Sequence, residues 1–415
     1  MDQEKIRKII DLQETIMAII PENFDTSFNH IVDLLSETPD LNFQINLKQA
    51  IDFRPRPIDV YARVYGGLVR SEKLKFFTSE RFKKEIFSTT FFSLNSTFGS
   101  FLYQCIQLGF LDPAEFVQLI RKFKHDHSEY IFEILMMFCW FCEYIEQYDP
   151  ELYDEILVVF KKKSQMPNLI LSLKSFILNF DQLRANNWEL KKRQATGFGP
   201  EPYREVINKD DVERLKEMAQ TPGFDMNARL KPSVFIRSKS LQMYPTLIQF
   251  AAFVRSVNCF KFLLENGSST SICSYANRTL AQFAVAGGCM EIIQILDKNG
   301  IDFTGCAQIA AEFHQNEAFV WLYENKFSDL SQIQEYIGSS IHQSAKSNNL
   351  RILIFCIEHG VDPNLRNSEK YTPLHYAADY GSLDVLSYLL SLPCVDVNAR
   401  DSVVYLLFLE FTPLF

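Results

Sequence analysis

At 415 residues the chain has room for two or three domains, and 47% hydrophobic content with only 22% charged residues excludes global disorder. The formal net charge of −9 divides into −3 over 1–200 (24 basic, 27 acidic) and −6 over 201–415 (18 basic, 24 acidic). That balance argues against a nucleic-acid partner, which calls for a basic stripe against the phosphates; local basic patches stay open, but none dominates.

The start, Met1-Asp2-Gln3-Glu4-Lys5-Ile6-Arg7, carries acidic residues and no apolar run of signal-peptide length behind it. Nine cysteines, odd in number and scattered, do not form a disulfide framework, so the expected compartment is reducing and cytoplasmic, with the nucleus left open. The sequons at Asn95-Ser96-Thr97 and Asn277-Arg278-Thr279 are then incidental.

Residues 1–195 read as an α-helical domain. Turn clusters at Pro21-Glu22-Asn23, Arg54-Pro55-Arg56-Pro57, Leu111-Asp112-Pro113 and Tyr148-Asp149-Pro150 separate segments with apolar residues at helical spacing, as in Ile6, Ile9, Ile10, Leu12 and Ile16. Asp112-Pro113-Ala114-Glu115 supplies an N-cap, a proline in the first turn and an acid there. No charge occurs between Glu85 and Asp112, but ten of the 26 residues 86–111 are Ser, Thr, Asn or Gln, which favours buried helices over a membrane span. The run Ile134–Cys142 is apolar for only nine residues between Glu133 and Glu143 and reads as a core helix.

Chemistry-bearing motifs are sparse here. Cys139-Trp140-Phe141-Cys142 has C-x-x-C spacing, yet zinc needs four ligands and no second pair lies near, so buried thiols are expected. His125-Asp126-His127 lacks a further ligand and reads as a helix end. Lys191-Lys192-Arg193 fails bipartite spacing with Lys161-Lys162-Lys163 and reads as a solvated helix end rather than an import signal. Two glycines and two prolines in Gly197-Phe198-Gly199-Pro200-Glu201-Pro202 mark a linker over 196–203, and the proline after Gly199 rules out a phosphate loop. No G-x-S-x-G, H-E-x-x-H or P-loop occurs; a paired-carboxylate site stays open, since sequence does not pair its acids. No cofactor, metal or catalytic residue is implied.

From about 204 to 400 a period of 33 residues emerges. Its clearest copy is Tyr371-Thr372-Pro373-Leu374-His375-Tyr376-Ala377-Ala378-Asp379-Tyr380-Gly381. Thr372 can cap a helix whose first turn accepts Pro373; Leu374, Ala377 and Ala378 form an apolar stripe, and Gly381 ends the helix. A second helix, 383–390, and Val395-Asp396-Val397-Asn398-Ala399 follow. One period earlier stand Ser340-Ile341-His342-Gln343-Ser344-Ala345 and Gly360-Val361-Asp362-Pro363-Asn364. Earlier copies open at Arg278-Thr279-Leu280 and Pro245-Thr246-Leu247, a shortened one spans 307–325, and Asp211–Asn227 reads as a lone second helix with its hairpin.

This pattern resembles the ankyrin repeat, G-x-T-P-L-H-x-A-A-x-x-G followed by a helix ending in L-L and by D-V-N-A. It departs from it at Lys370, where the family has glycine, and by one extra residue at Pro393-Cys394. The resemblance implies an all-α fold, a helical N-terminal domain followed by about five to six helix-turn-helix repeats with β-hairpin loops, several degenerate. The segment Gln49–Tyr61 is similar to the helical leader ahead of ankyrin arrays in large, lineage-expanded protist families.

As a catalytic base His375 would need Ser382 and Asp384 arranged by the fold. The resemblance instead makes it structural, bonded to the Thr372 hydroxyl and to the backbone of the adjoining hairpin. Scaffold roles for Thr372, Pro373, Leu374, His375, Ala377, Ala378 and Gly381 leave Asn367, Ser368, Glu369, Lys370, Tyr376, Asp379 and Tyr380 as candidate partner-binding positions. These seven stand equally well as ordinary surface. The expectation is a non-catalytic scaffold or adaptor that binds another protein, with no membrane span and an oligomeric state left open. The alternative is a regulatory or catalytic N-terminal domain to which the repeats recruit a substrate.

Residues 401–415 carry a repeat opening, Phe411-Thr412-Pro413-Leu414-Phe415, delayed by Val403–Leu409. Either the product is truncated or the apolar tail folds back as an improvised cap. Truncation is the reading adopted, and it predicts that deleting 402–415 leaves the melting temperature unchanged or improves solubility.

Overall fold

Short α-helices dominate the computed structural model, which describes residues 1–54, 58–78, 80–81, 96–127, 130–163, 171–194, 201–236, 238–326 and 330–400. No sheet is present among the described residues; a single antiparallel bridge, Arg229 with Thr246, marks one hairpin. The readings of residues 82–95, 195–200 and 401–415, the tail included, lie outside the described residues.

The chain divides into two compact units that do not follow the expected boundary at 196–203. Met1–Ile19 and Asp25–Arg54 group with Leu280 onward, while Pro55–Thr279 joins the remaining N-terminal helices to the first repeats.

In the first unit, helices Gln3–Ala18, Phe24–Glu37 and Phe43–Phe53 accompany four helix pairs. The pairs are Leu280–Gly287 with Met290–Lys298, Cys306–Glu312 with Asn316–Lys326, Leu330–Lys346 with Leu350–Glu358, and Pro373–Asp379 with Leu383–Leu390. Alanines 281, 284, 307, 310, 311, 345 and 377, all buried, let the first helices lie close. Every helix-to-helix turn needs one left-handed residue: Gly288 (φ 70°), His314 (52°), Asn348 (58°) and Gly381 (64°). At Gly288 a Cβ would stand 2.0 Å from Gln315 Oε1, so a side chain there would have to push the Gln315 amide away from its bond to the Ala286 carbonyl.

The second unit is built on phenylalanine. Phe138, Phe160, Phe176 and Phe180 pack ring against ring at 5.3 to 6.1 Å. Phe235, from the long loop after the first hairpin strand, reaches the same core, with its ring 5.2 Å from Trp140 and 5.9 Å from Phe176. That insertion explains why the first repeats share a core with the N-terminal helices. Cys139 and Cys142 sit fully buried on helix Ile131–Tyr148, and burial pushes the Cys142 thiol up to about 11, so both behave as small hydrophobes.

One correction concerns 211–227. Its helix Val212–Ala219 is not alone; it packs on Pro202–Asn208, which starts inside the expected linker. Pro202 lies in the first turn of that helix, where its missing N–H is harmless, so a residue read as a breaker is a starter. Arg204, buried, ties the pair down through Glu201 Oε2 (2.7 Å) and the Lys231 carbonyl (2.6 Å).

Candidate partner-binding surface

Thr372 caps helix Pro373–Asp379: its hydroxyl accepts from the His375 N–H at 3.4 Å, and the Thr372 N–H donates to His375 Nδ1 at 3.2 Å. A backbone N–H can only donate, so Nδ1 is an acceptor and the Thr372 hydroxyl, 2.8 Å away, donates to it as well. Leu374 and Ala377 are buried, and Gly381 takes the left-handed turn that ends the helix. The bond to an adjoining hairpin is seen one repeat earlier, where His342 Nε2 donates to the Leu365 carbonyl at 2.9 Å. Ser382 donates to the Lys346 carbonyl and Asp384 is held by amides, so His375, Ser382 and Asp384 have separate structural partners.

The seven candidate positions divide in two. Asn367 is half-buried: its Oδ1 accepts from the N–H groups of Glu369 and Tyr371 (both 2.9 Å), and its Nδ2 donates to the Tyr376 hydroxyl at 3.0 Å. Asn367 and Tyr376 therefore hold the hairpin together. Ser368, Glu369, Lys370, Asp379 and Tyr380 are exposed. Lys370 sits at φ 62°, the conformation for which the family uses glycine.

Tyr376 and Tyr380 stack with centroids 6.2 Å apart, and the Lys346 ammonium lies 5.3 Å over the Tyr380 ring. Lys346 is in turn paired with Glu312 at 3.3 Å. Three successive first helices thus place Glu312, Lys346 and Tyr380 in a row, ending in an aromatic ring that is 50% exposed.

On the turns of these repeats the sequence reading missed a second feature. Asp384, 1% exposed, accepts from Asn42 Nδ2 (2.7 Å), Asn46 Nδ2 (2.9 Å), Gln13 Nε2 (3.2 Å) and Asn348 Nδ2 (2.8 Å). Gln13 also donates to the Asn348 carbonyl (2.8 Å) and accepts from the Leu350 N–H (3.3 Å). Arg54 reaches Gln315 Oε1 (2.9 Å) and the His314 carbonyl (3.1 Å), and Phe53 meets Phe313 edge to face at 5.4 Å. Helices Gln3–Ala18 and Phe43–Phe53 thus clasp three consecutive repeat turns. The available signal was Gln13 inside the apolar stripe Ile9, Leu12, Ile16: a polar residue where burial is expected.

Among the described residues no group of three His, Cys, Asp or Glu side chains is arranged to hold a metal ion, and His125 bonds its neighbour Asp126 at 2.9 Å in the open. No described helix is long and apolar enough to cross a membrane.

Residues 307–401 match the family model of ankyrin repeats in three copies. The chain is 43% identical over 60 residues (14% of its length) to acyl-CoA-binding domain-containing protein 1 of Arabidopsis thaliana, and 27% identical over 124 residues (27%) to an ankyrin repeat protein, FPV031, of fowlpox virus. These matches span 16% and 36% of the relatives' own lengths. Among solved structures, the human ASB11 ankyrin repeat domain aligns with 49% of the chain and 89% of its own, at 17% identity and a TM-score of 0.37. With their 33-residue register, capped Thr-Pro helix and left-handed turns, residues 307–401 of the chain form ankyrin repeats.

Proposed function

We propose that this chain is a non-catalytic scaffold or adaptor that captures a partner protein on the surface formed by Tyr380, Asp379 and the Ser368–Lys370 hairpin tip. Ankyrin repeats are generally protein–protein interaction modules. The observation that carries the reading is Tyr380: a half-exposed aromatic ring, ordered by stacking on Tyr376 and by Lys346, bears the features of an interface anchor. A cytoplasmic setting belongs to the same proposal and is supported by nine cysteines that are all free.

The test is affinity capture from native cell extract with the full chain and with Asp379→Lys/Tyr380→Ala, both shown to be folded by circular dichroism. A protein retained by the first bait and lost from the second supports the surface. Identical retention by both removes it.

A further inference from the structure

The chain is acidic, yet residues 226–264 contain no aspartate or glutamate. Over 226–290 there are seven basic residues (Arg229, Lys231, Arg237, Lys239, Arg255, Lys261 and Arg278) against Glu265 alone, leaving 35 basic and 50 acidic residues elsewhere. A segregation this steep in a repeat array points to a partner of opposite sign.

Arg229 and Arg278 lie on the hairpin side of the first repeats, and Lys231 follows Arg229 by two residues, its N–H donating to Glu201 Oε1 at 3.0 Å. Arg229 lies beneath the stacked pair Tyr244 and Tyr275, whose centroids are 4.6 Å apart, with its guanidinium 5.0 Å from the Tyr275 ring centre. It donates to the carbonyls of Tyr244 (2.9 Å) and Cys273 (2.8 Å), neutral acceptors that fix the group, and it makes no ion pair among the described residues. Lys231 is exposed and makes no ion pair among the described residues. Arg278 Nη1 donates to Ser240 Oγ at 2.9 Å, and the Tyr275 N–H to the Met243 carbonyl at 2.9 Å closes the two hairpins together. Tyr275 is 66% exposed and Met243 44%.

We propose that this hairpin surface (Arg229, Lys231, Met243, Tyr275 and Arg278) docks an extended, acidic segment of a partner protein. Carboxylates meet the cations, and an apolar side chain of the ligand lies on Met243 and the Tyr275 edge. Exposed Met243 beside the cations offers an apolar contact, and the chain's net charge of −9 opposes a continuous phosphate backbone, which together favour a peptide over a single-stranded nucleic acid. This surface is separate from the one built on Tyr380 and stands or falls independently of it.

Fluorescence anisotropy with the full chain tests the proposal. The probes are labelled peptides of about 12 residues, one rich in Asp and Glu and one rich in Lys, and a single-stranded DNA of about 12 nucleotides; each is measured at about 50 and about 300 mM salt. The acidic peptide should bind saturably and weaken with salt. Lys231→Glu/Tyr275→Ala should reduce its affinity about tenfold or more, and Asp379→Lys/Tyr380→Ala should leave it unchanged. Lys231→Gln, which only removes charge from an exposed side chain, should give an intermediate loss and guards against misfolding of the double variant. Absence of saturable binding, equal affinity of the Lys231 variants, or tighter binding of the DNA would overturn it.

Discussion

Replacing Asp384 by alanine removes the one acceptor on which Asn42, Asn46, Gln13 and Asn348 converge. A buried donor left without an acceptor costs roughly 1–3 kcal/mol. The four do not strand equally, because Gln13 keeps Asn46 Oδ1 (3.1 Å) and the Asn348 carbonyl, Asn348 keeps Asn46 Oδ1 (3.0 Å), and Asn46 keeps the Asn42 carbonyl (3.0 Å). Part of the penalty is therefore relieved, and the expected loss is about 2–4 kcal/mol, less than four independent penalties. Gln13→Ala removes one of the four bonds from the other side, so a double-mutant cycle with Asp384→Ala should show a coupling of about 1–2 kcal/mol. Because a two-unit chain need not unfold in one step, the readout is hydrogen exchange of helices Gln3–Ala18 and Leu383–Leu390, followed by mass spectrometry. Both helices should lose protection together in either single variant. Additive effects, or loss confined to Leu383–Leu390, would refute the clasp between the N-terminal helices and the repeat turns.

Three further outcomes are expected. His314 is buried, with Nε2 donating to the Ser347 carbonyl at 2.7 Å; burial, with Arg54 nearby, holds its pKa down at about 4, below its ordinary 6.5. The folded ring stays neutral while the unfolded chain takes up a proton, so its contribution is full above pH 6.5 and is lost as pH falls to about 4, on the order of 3 kcal/mol; His314→Asn, which tolerates a positive φ, should flatten that part of a pH series of chemical denaturation curves. Lys370, exposed at φ 62°, should accept glycine at no cost or with a gain of up to about 1 kcal/mol, whereas Lys370→Val should lose about 1–2 kcal/mol; a thermal melt in which valine matches glycine would contradict the left-handed turn. Lys191, expected at a solvated helix end, is instead fully buried with its ammonium 3.9 Å from Glu143, too distant for a hydrogen bond, and 5.7 Å from the Tyr103 ring; Glu143 keeps Lys192 at 3.0 Å, so Lys191→Met should be neutral or stabilising by about 1 kcal/mol in urea unfolding, and a loss above about 3 kcal/mol would mean the pair is well made.

What the sequence reveals is what repeats locally. Thr372-Pro373, the alanines of the first helices and Gly381 each act within a few residues of themselves, so their roles in the fold can be read directly. The turns at His314 and Asn348 were not legible, because both residues take the left-handed conformation without the glycine that signals it. The grouping of the chain was hidden because its determinants act over great distances in sequence. Gln13 meets Asp384 across 371 positions, and nothing in either neighbourhood encodes the pairing. Phe235 belongs to no repeat motif and is core; Pro202 looked like a break and opens a helix. Among the candidate surface residues, Asn367 and Tyr376 left the free set because turn chemistry, not the repeat pattern, engages them.

The central claim, capture of a partner by the Tyr380 surface, is tested most directly by photocrosslinking. A photoreactive amino acid is placed at Tyr380 in one sample and, as control, at Val158, which is 68% exposed on the second unit. Both are irradiated in native extract. The account predicts a discrete adduct from position 380, absent at 158 and lost when Asp379→Lys is added. An adduct from 158 alone, or the same adducts from both positions, would contradict it.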